Sequence, residues 1–271
     1  MPMSAQYETL LVGEPRPHVV CVTLNRPASA NALNTRMAEE LAAVFAGFSQ
    51  SQSQSQSQSY RCIVMTGAGE RAFCAGADLK ERDGMSNAQW QAQHKMFEFA
   101  FLALMECPLP LIAAVNGAAF GGGCEMVLAC DFAYASRSVR FALPETSLGI
   151  MPGGGGTRNL PRVVGLARAK EIVMSAAPFS AQDAERWGLI NRVCEPAKLM
   201  EDVLAVATRI AANAPLALRQ AKKALAAAIG PDRHAGTRVE IEAYDRLVPT
   251  ADRSEGIRAF NEKRRPRFTG R

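Results

Sequence analysis

Two acidic residues stand where an acid is least expected. Glu125 interrupts the apolar segment Cys124-Glu125-Met126-Val127-Leu128-Ala129, and Glu145 follows Pro144 just behind a strand-like run, twenty residues further on. Taken alone, each reads as readily as a paired structural carboxylate as it does as a catalytic group. Two carboxylates sharing one low-dielectric pocket cannot both ionise easily, so one tends to hold a proton near neutral pH while the other stays a base. Such a pair can add water across an activated double bond.

Glycines supply the second kind of candidate chemistry. Without a Cβ, a glycine loop brings its backbone N–H close to a ligand. Gly122 falls at the start of a predicted helix, where free amides and the positive end of the helix dipole favour a developing anion. Glu125, three residues later, then lies about one turn deeper on a similar face. Other uses of glycine find less support. Gly67-Ala68-Gly69-Glu70-Arg71-Ala72 is formally a dinucleotide fingerprint behind a strand, but that motif requires a helix to open on the loop, and Phe73 to Asp78 instead prolong irregular chain. Gly121-Gly122-Gly123 and Gly153-Gly154-Gly155-Gly156 lack the Lys-Ser/Thr of a phosphate-cradling loop, and the chain contains no G-x-S-x-G nucleophile elbow.

The remaining residue types narrow the chemistry further. The histidines (His18, His94, His234) are far apart, and the seven cysteines (21, 62, 74, 107, 124, 130, 194) contain no C-x-x-C pair, so no metal site is expected. The odd cysteine count suits a reduced intracellular compartment. Cys74 and Cys124 read as small buried residues, because no base is placed beside either. With 271 residues, 48% hydrophobic and 21% charged, the chain is long and apolar enough for a substantial core. Its net charge of +5 suits solubility or an anionic ligand equally well. The opening MPMSAQYETL has no signal-peptide pattern, no apolar run approaches a membrane span, and the closing FTGR is not a peroxisomal tripeptide.

The elements that must position these residues follow from periodicity. A β-hairpin is predicted from Tyr7 to Val12 and Val19 to Leu24, then an amphipathic helix through Met37, Leu41, Val44, Phe45 and Phe48 behind a Thr35 cap. The tract at 49–59, SQSQSQSQSQS, has no apolar face and reads as an exposed loop. A strand follows at Arg61 to Thr66. A long helix then runs from Ser86 to Glu106, opened by a Ser86/Gln89 capping box and carrying the stripe Trp90, Phe97, Phe101 and Leu104. Strands at Leu111 to Val115, Phe132 to Ala135 and Val139 to Phe141, with a short helix from Gly122, indicate α/β layering. Beyond Glu195 only helices are expected, at Ala197 to Ala212, Leu216 to Ile229, His234 to Leu247 and Arg253 to Lys263.

Three long segments carry a resemblance: Ala72-Phe73-Cys74-Ala75-Gly76-Ala77-Asp78-Leu79-Lys80, Ala113 to Glu125 (AAVNGAAFGGGCE) and Pro144 to Thr157 (PETSLGIMPGGGGT). In that order they resemble the enoyl-CoA hydratase/isomerase (crotonase) superfamily, and the similarity runs from Leu24-Asn25-Arg26-Pro27 to Arg264. The resemblance implies an α/β fold, a spiral of ββα units over 1–195 with a helical trimerisation region over 196–271, assembled as a homotrimer or homohexamer. Position by position it implies an oxyanion hole from the N–H groups of Ala77 and Gly122, holding a thioester oxygen as it becomes an enolate. Glu125 and Glu145 then orient water for attack at Cβ, with Glu145 giving the proton to Cα. The substrate-binding residues would be Ala77, Asp78, Leu79, Lys80 and Gly122, with Arg26 placed to meet a phosphate.

The implied reaction is reversible hydration of a trans-2-enoyl-CoA to a 3-hydroxyacyl-CoA. It needs no metal and no cofactor apart from the coenzyme A of the substrate, and is expected in the cytoplasm. Acids at both positions favour hydration over double-bond migration. An isomerase and a branched-acid hydratase of the 3-methylglutaconyl-CoA type remain alternatives. A non-catalytic acyl-CoA or RNA binder using the basic Lys263-Arg264-Arg265-Pro266-Arg267 is a more distant one; no nucleic acid or membrane partner is expected. The lining from Met85 to Phe101 and the C-terminal helices are expected to set the acyl preference.

Overall fold

The computed structural model describes residues 7–50, 60–228 and 233–271. Ten strands and eleven α-helices alternate along them. The hairpin β1 (Leu10–Arg16) and β2 (Val19–Leu24) leads to α1 (Thr35–Gln50), β3 (Cys62–Gly67), β4 (Ala72–Cys74), α2 (Leu79–Arg82) and α3 (Asn87–Met105). Next come β5 (Leu111–Val115), β6 (Ala118–Phe120), α4 (Gly122–Ala129), β7 (Phe132–Ser136), β8 (Arg140–Ala142), α5 (Gly156–Val164) and α6 (Leu166–Ser175). The chain continues through β9 (Phe179–Ser180), α7 (Ala181–Arg186) and β10 (Arg192–Cys194) into α8 (Leu199–Ala211), α9 (Pro215–Ala228), α10 (Arg233–Asp245) and α11 (Ala251–Asn261).

The strands divide between a six-stranded sheet, β1-β2-β3-β5-β7-β10, and a four-stranded sheet, β4-β6-β8-β9. Successive strands alternate between them: β3 then β4, β5 then β6, β7 then β8, with helices before the next pair. This is the expected spiral of ββα turns. β3 and β5 are buried along their whole length, as parallel strands covered on both faces must be. Their side chains alternate in direction. Ile63, Met65, Leu111 and Ala113 enter the core with α1 and α3, while Cys62, Val64, Ile112 and Ala114 meet Leu199, Val203 and Ala207 of α8.

Several expectations need correction. β1 begins later than predicted and runs through Gly13, Glu14 and Pro15 to Arg16, because the Glu8 and Thr9 amides donate to the Glu40 carboxylate. Pro15 is tolerated because β1 is an edge strand with a register shift between Gly13 and Arg16. Asn34, not Thr35, caps α1: its Oδ1 accepts from the Met37 amide at 3.0 Å. Phe73 and Cys74 belong to β4 rather than to an irregular loop, although no helix opens on Gly67 to Ala72. The SQ tract beyond Gln50 lies outside the described residues. The Ser86/Gln89 capping box, the start of α4 at Gly122 and the all-helical C-terminal section agree with the sequence reading. No described helix is long and apolar enough to cross a membrane.

Candidate active site

β4, β6 and β8 are adjacent and parallel, and the chain leaving their C-terminal ends builds one site. From β4 it reaches Ala77, pinned by a bridge to Leu33. From β6 it turns through Gly121 (φ 50) into Gly122, the first residue of α4. From β8 it passes Pro144 into a single helical turn, Glu145–Leu148. Ligand sites of open α/β sheets lie at this end of the strands. Gly123 locks the arrangement, because a methyl group there would lie 2.1 Å from the Cys74 carbonyl oxygen. Only glycine lets α4 seat against β4 and bring the Gly122 amide beside Ala77. A methyl group on Gly122 would be 4.0 Å from the Ala77 nitrogen, and neither amide donates to a described residue.

These residues border a cavity of about 430 Å³ that both acids also line. Glu125, on the first turn of α4, is 4% exposed, and its Oε1 accepts from the Gly154 and Gly156 amides at 2.8 Å each. The glycine run therefore has a local cause: a methyl group on Gly156 would stand 2.8 Å from that oxygen. Burial raises the Glu125 carboxyl above its ordinary range, and the two amides pull it back. Glu145 is 8% exposed, and its buried Oε2 accepts no hydrogen bond from a described residue. Burial pushes Glu145 up to about 7, with its own backbone amide pulling it partly back and the Glu125 charge adding to the rise. One acid is thus wired to the backbone and the other is poised to carry a proton near neutrality.

Of the other predicted site residues, Leu79 borders the cavity with Ala77 and Gly122, whereas Asp78, Lys80 and Arg26 lie outside its lining. Asp78 caps α2, accepting from the Lys80 and Glu81 amides at 3.2 and 3.4 Å. Arg26 Nη2 pairs with Asp78 Oδ2 at 2.9 Å, and its Nη1 donates to the Ala32 carbonyl at 2.6 Å. Arg26 thus braces the loop behind Ala77, and Lys80 is exposed to solvent. The acyl lining expected from Met85 to Phe101 narrows to Trp90, His94, Phe97 and Phe101 of α3, with Leu148 and Met151 opposite; Met85 and the described C-terminal helices do not border the cavity.

Two features were missed in the sequence. Arg82 lines the cavity although it sits in the charged run Lys80 to Asp83, which resembles a solvated face. Gly154 and Gly156 hold Glu125, a role that glycine composition alone does not signal. Burial raises the Cys74 thiol to about 11 and raises Cys124 as well, in keeping with inert core cysteines. The basic tail is tied down at Arg264, whose guanidinium meets Glu255 at 2.6 Å and 3.0 Å. Among the described residues no group of three or more potential ligands could hold a metal.

The comparisons with known proteins agree with this architecture. A family model described as enoyl-CoA hydratase/isomerase matches residues 15–271. YngF of Bacillus subtilis, assigned to the enoyl-CoA hydratase/isomerases, is 41% identical over 253 residues, 93% of this chain and 95% of its own. A short-chain-enoyl-CoA hydratase of Clostridium acetobutylicum is 38% identical over 91% of this chain and 92% of its own. The crystal structure of an enoyl-CoA hydratase from Bacillus anthracis superposes with a TM-score of 0.93 at 42% identity, covering 97% of this chain and all of the other.

Proposed function

Since the chain belongs to the enoyl-CoA hydratase/isomerase family, we propose that it is a hydro-lyase that reversibly adds water to a trans-2-enoyl-CoA to give a 3-hydroxyacyl-CoA. The observation that carries this reading is the pairing of Glu125 and Glu145 on one cavity with the free amides of Ala77 and Gly122.

The thioester oxygen sits between those two amides. As water adds, the oxygen gains enolate charge, and donors aimed at it stabilise the transition state by about 3 kcal/mol each. Glu125, ionised and oriented by Gly154 and Gly156, accepts a proton from the water whose oxygen bonds to Cβ. Glu145, protonated, delivers a proton to Cα, and transfer of the proton gained by Glu125 back to Glu145 restores both carboxyls for the next turnover. One water is consumed: its hydroxyl ends on Cβ, and a proton ends on Cα. The coenzyme A moiety is part of the substrate, and the chemistry requires no further cofactor.

Two acids in place favour hydration over isomerisation, which can run with one. A reduced, cytoplasmic setting suits the seven free cysteines. Assembly into a homotrimer or homohexamer would cover the apolar side chains that the C-terminal helices leave exposed, among them Leu225, Ile241, Tyr244 and Phe260; light scattering on the purified protein tests this. For the reaction, the protein should consume the enoyl thioester absorbance of crotonyl-CoA at an ordinary enzymatic rate. Inertness toward short, medium and branched enoyl-CoAs would overturn the reading.

A further inference from the structure

Arg82 is a cation placed where the hydration chemistry does not call for one. It is 8% exposed yet borders the same cavity as Glu125 and Glu145. Its guanidinium lies 4.2 Å from the centre of the Trp90 ring and 5.0 Å from that of Phe97, both also in the cavity wall. Nε donates to Gln93 Oε1 at 2.7 Å. Among the described residues, Nη1 and Nη2 make no hydrogen bond and no carboxylate pairs with them.

The nearest acid is already committed. Glu81 Oε2 accepts from the Thr35 amide at 3.0 Å and from Gln93 Nε2 at 2.7 Å, and Gln93 Nε2 also reaches Thr35 Oγ1 at 2.9 Å. Gln93 therefore fixes the guanidinium through Nε and holds Glu81 away from it. A buried guanidinium is costly unless its charge and donors are met, and aromatic faces meet the charge without accepting the N–H groups. The two rings also leave the planar edge carrying Nη1 and Nη2 as the side on which a partner can approach, the geometry that matches a carboxylate.

We propose that Arg82 is a specificity-determining residue that binds a free carboxylate at the far end of the acyl chain, so that the preferred substrates are enoyl-CoA esters of dicarboxylic acids. This rests on the hydratase reading above and sharpens its substrate class. The exposed phosphates of coenzyme A are a second possible source of anionic oxygen, and the test separates the two because both substrates compared carry the same coenzyme A. Near Glu125 and Glu145 an acyl carboxylate would be repelled unless a fixed cation offset them, which gives Arg82 a role that a plain alkyl chain would leave unused.

The test compares trans-glutaconyl-CoA with trans-5-methylhex-2-enoyl-CoA, in which an isopropyl group of similar shape replaces the carboxylate. Wild-type kcat/KM should favour the carboxylate substrate by at least about tenfold, and in Arg82→Gln that ratio should fall by at least about thirtyfold. Arg82→Lys, which keeps the charge without the planar fork, should give an intermediate ratio. If Arg82→Gln fails to fold, the wild-type ratio and Arg82→Lys decide. Competition by glutaryl-CoA against 5-methylhexanoyl-CoA, saturated versions of the two, should follow the same order without any chemistry. A wild-type preference for the neutral chain, or a ratio unmoved by Arg82→Gln, overturns the proposal; equal loss on both substrates would place Arg82 on the coenzyme A. Turnover of crotonyl-CoA without a carboxylate preference overturns this inference alone, whereas inertness toward every enoyl-CoA overturns the hydratase reading with it.

Discussion

Glu125 and Glu145 border one cavity with opposite hydrogen bonding: Glu125 Oε1 accepts two backbone amides at 2.8 Å, and Glu145 Oε2 is buried and accepts none. Burial raises both carboxyls, and amide donors oppose it: the Gly154 and Gly156 amides at Glu125, and its own backbone amide at Glu145, where the Glu125 charge adds to the rise. In the proposed hydration this asymmetry suits Glu125 on α4 as the base and Glu145 on the turn behind β8 as the acid.

Replacing either acid by its amide should therefore remove chemistry without removing the fold. Gln at position 125 still offers an oxygen to the Gly154 and Gly156 amides, so Glu125→Gln should melt near the wild-type temperature while kcat for hydration falls about a hundred- to ten-thousand-fold. Glu145→Gln should lower kcat over the same range. An enzyme relying on Glu145 alone for double-bond migration would retain activity in Glu125→Gln, so stopped assays resolving 3-hydroxyacyl from 3-enoyl products check the reaction type.

The raised Glu145 acidity also makes a prediction about stability. The group titrates near 7 in the folded chain against an ordinary value of 4.5. Below about pH 4.5 it is protonated in both states. Between there and pH 7 the unfolded chain releases a proton that the folded chain keeps, so stability falls as pH rises across this window and levels off above it. The loss is bounded at about 3 kcal/mol. Glu145→Gln removes it, so thermal melts should show the variant more stable than wild type at pH 8 and matched to it near pH 4.5. In the active enzyme, hydration kcat/KM should decline as pH rises through about 7, because the proton destined for Cα is then missing. The two measurements together tie the stability cost to the catalytic proton.

Gly122 offers a cleaner probe of the amide pair than Ala77. It is the first residue of α4, where proline is tolerated, and a methyl group there would meet nothing nearer than Phe101 Cζ at 3.8 Å. Gly122→Ala keeps the N–H and should cost less than about threefold in kcat, whereas Gly122→Pro deletes the donor and should cost about a hundred- to a thousand-fold. Equal kinetics for the two variants would remove this amide from the mechanism.

Much of this site was legible in the sequence because its physical signals are local. Glu125 stands out as a charge in an apolar helix, Gly122 as a glycine at a helix start, and the Ser86/Gln89 box as a capping pair three residues apart. Arg82 was not legible. Its burial depends on α3 folding back so that Trp90 and Phe97 cover a four-residue helix too short to show periodicity. The short strands β4 and β6 were equally hidden, since three residues cannot display an alternation, and their pairing is enforced by contacts distant in sequence. Arg26 shows a third kind of limit: its position in the turn was plain, but whether it faces a ligand or the protein depends on where Asp78 comes to rest.

That placement makes Arg26 a positioning residue, and the final prediction follows from it. Its guanidinium bridges Asp78 and the Ala32 carbonyl, while the Asp78 amide donates to the Leu33 carbonyl at 2.9 Å, so the turn carrying Ala77 is held from both sides. Arg26→Gln should loosen the Ala77 amide and lower kcat about tenfold with little change in KM, since a misplaced donor weakens the transition state more than the ground state. A residue that instead gripped a phosphate would raise KM, and the effect would be sensitive to ionic strength. Asp78→Asn should reproduce the kcat loss. Because the two side chains act as one brace, the double variant should be no slower than the slower single variant, and fully additive losses would show that Arg26 and Asp78 act independently.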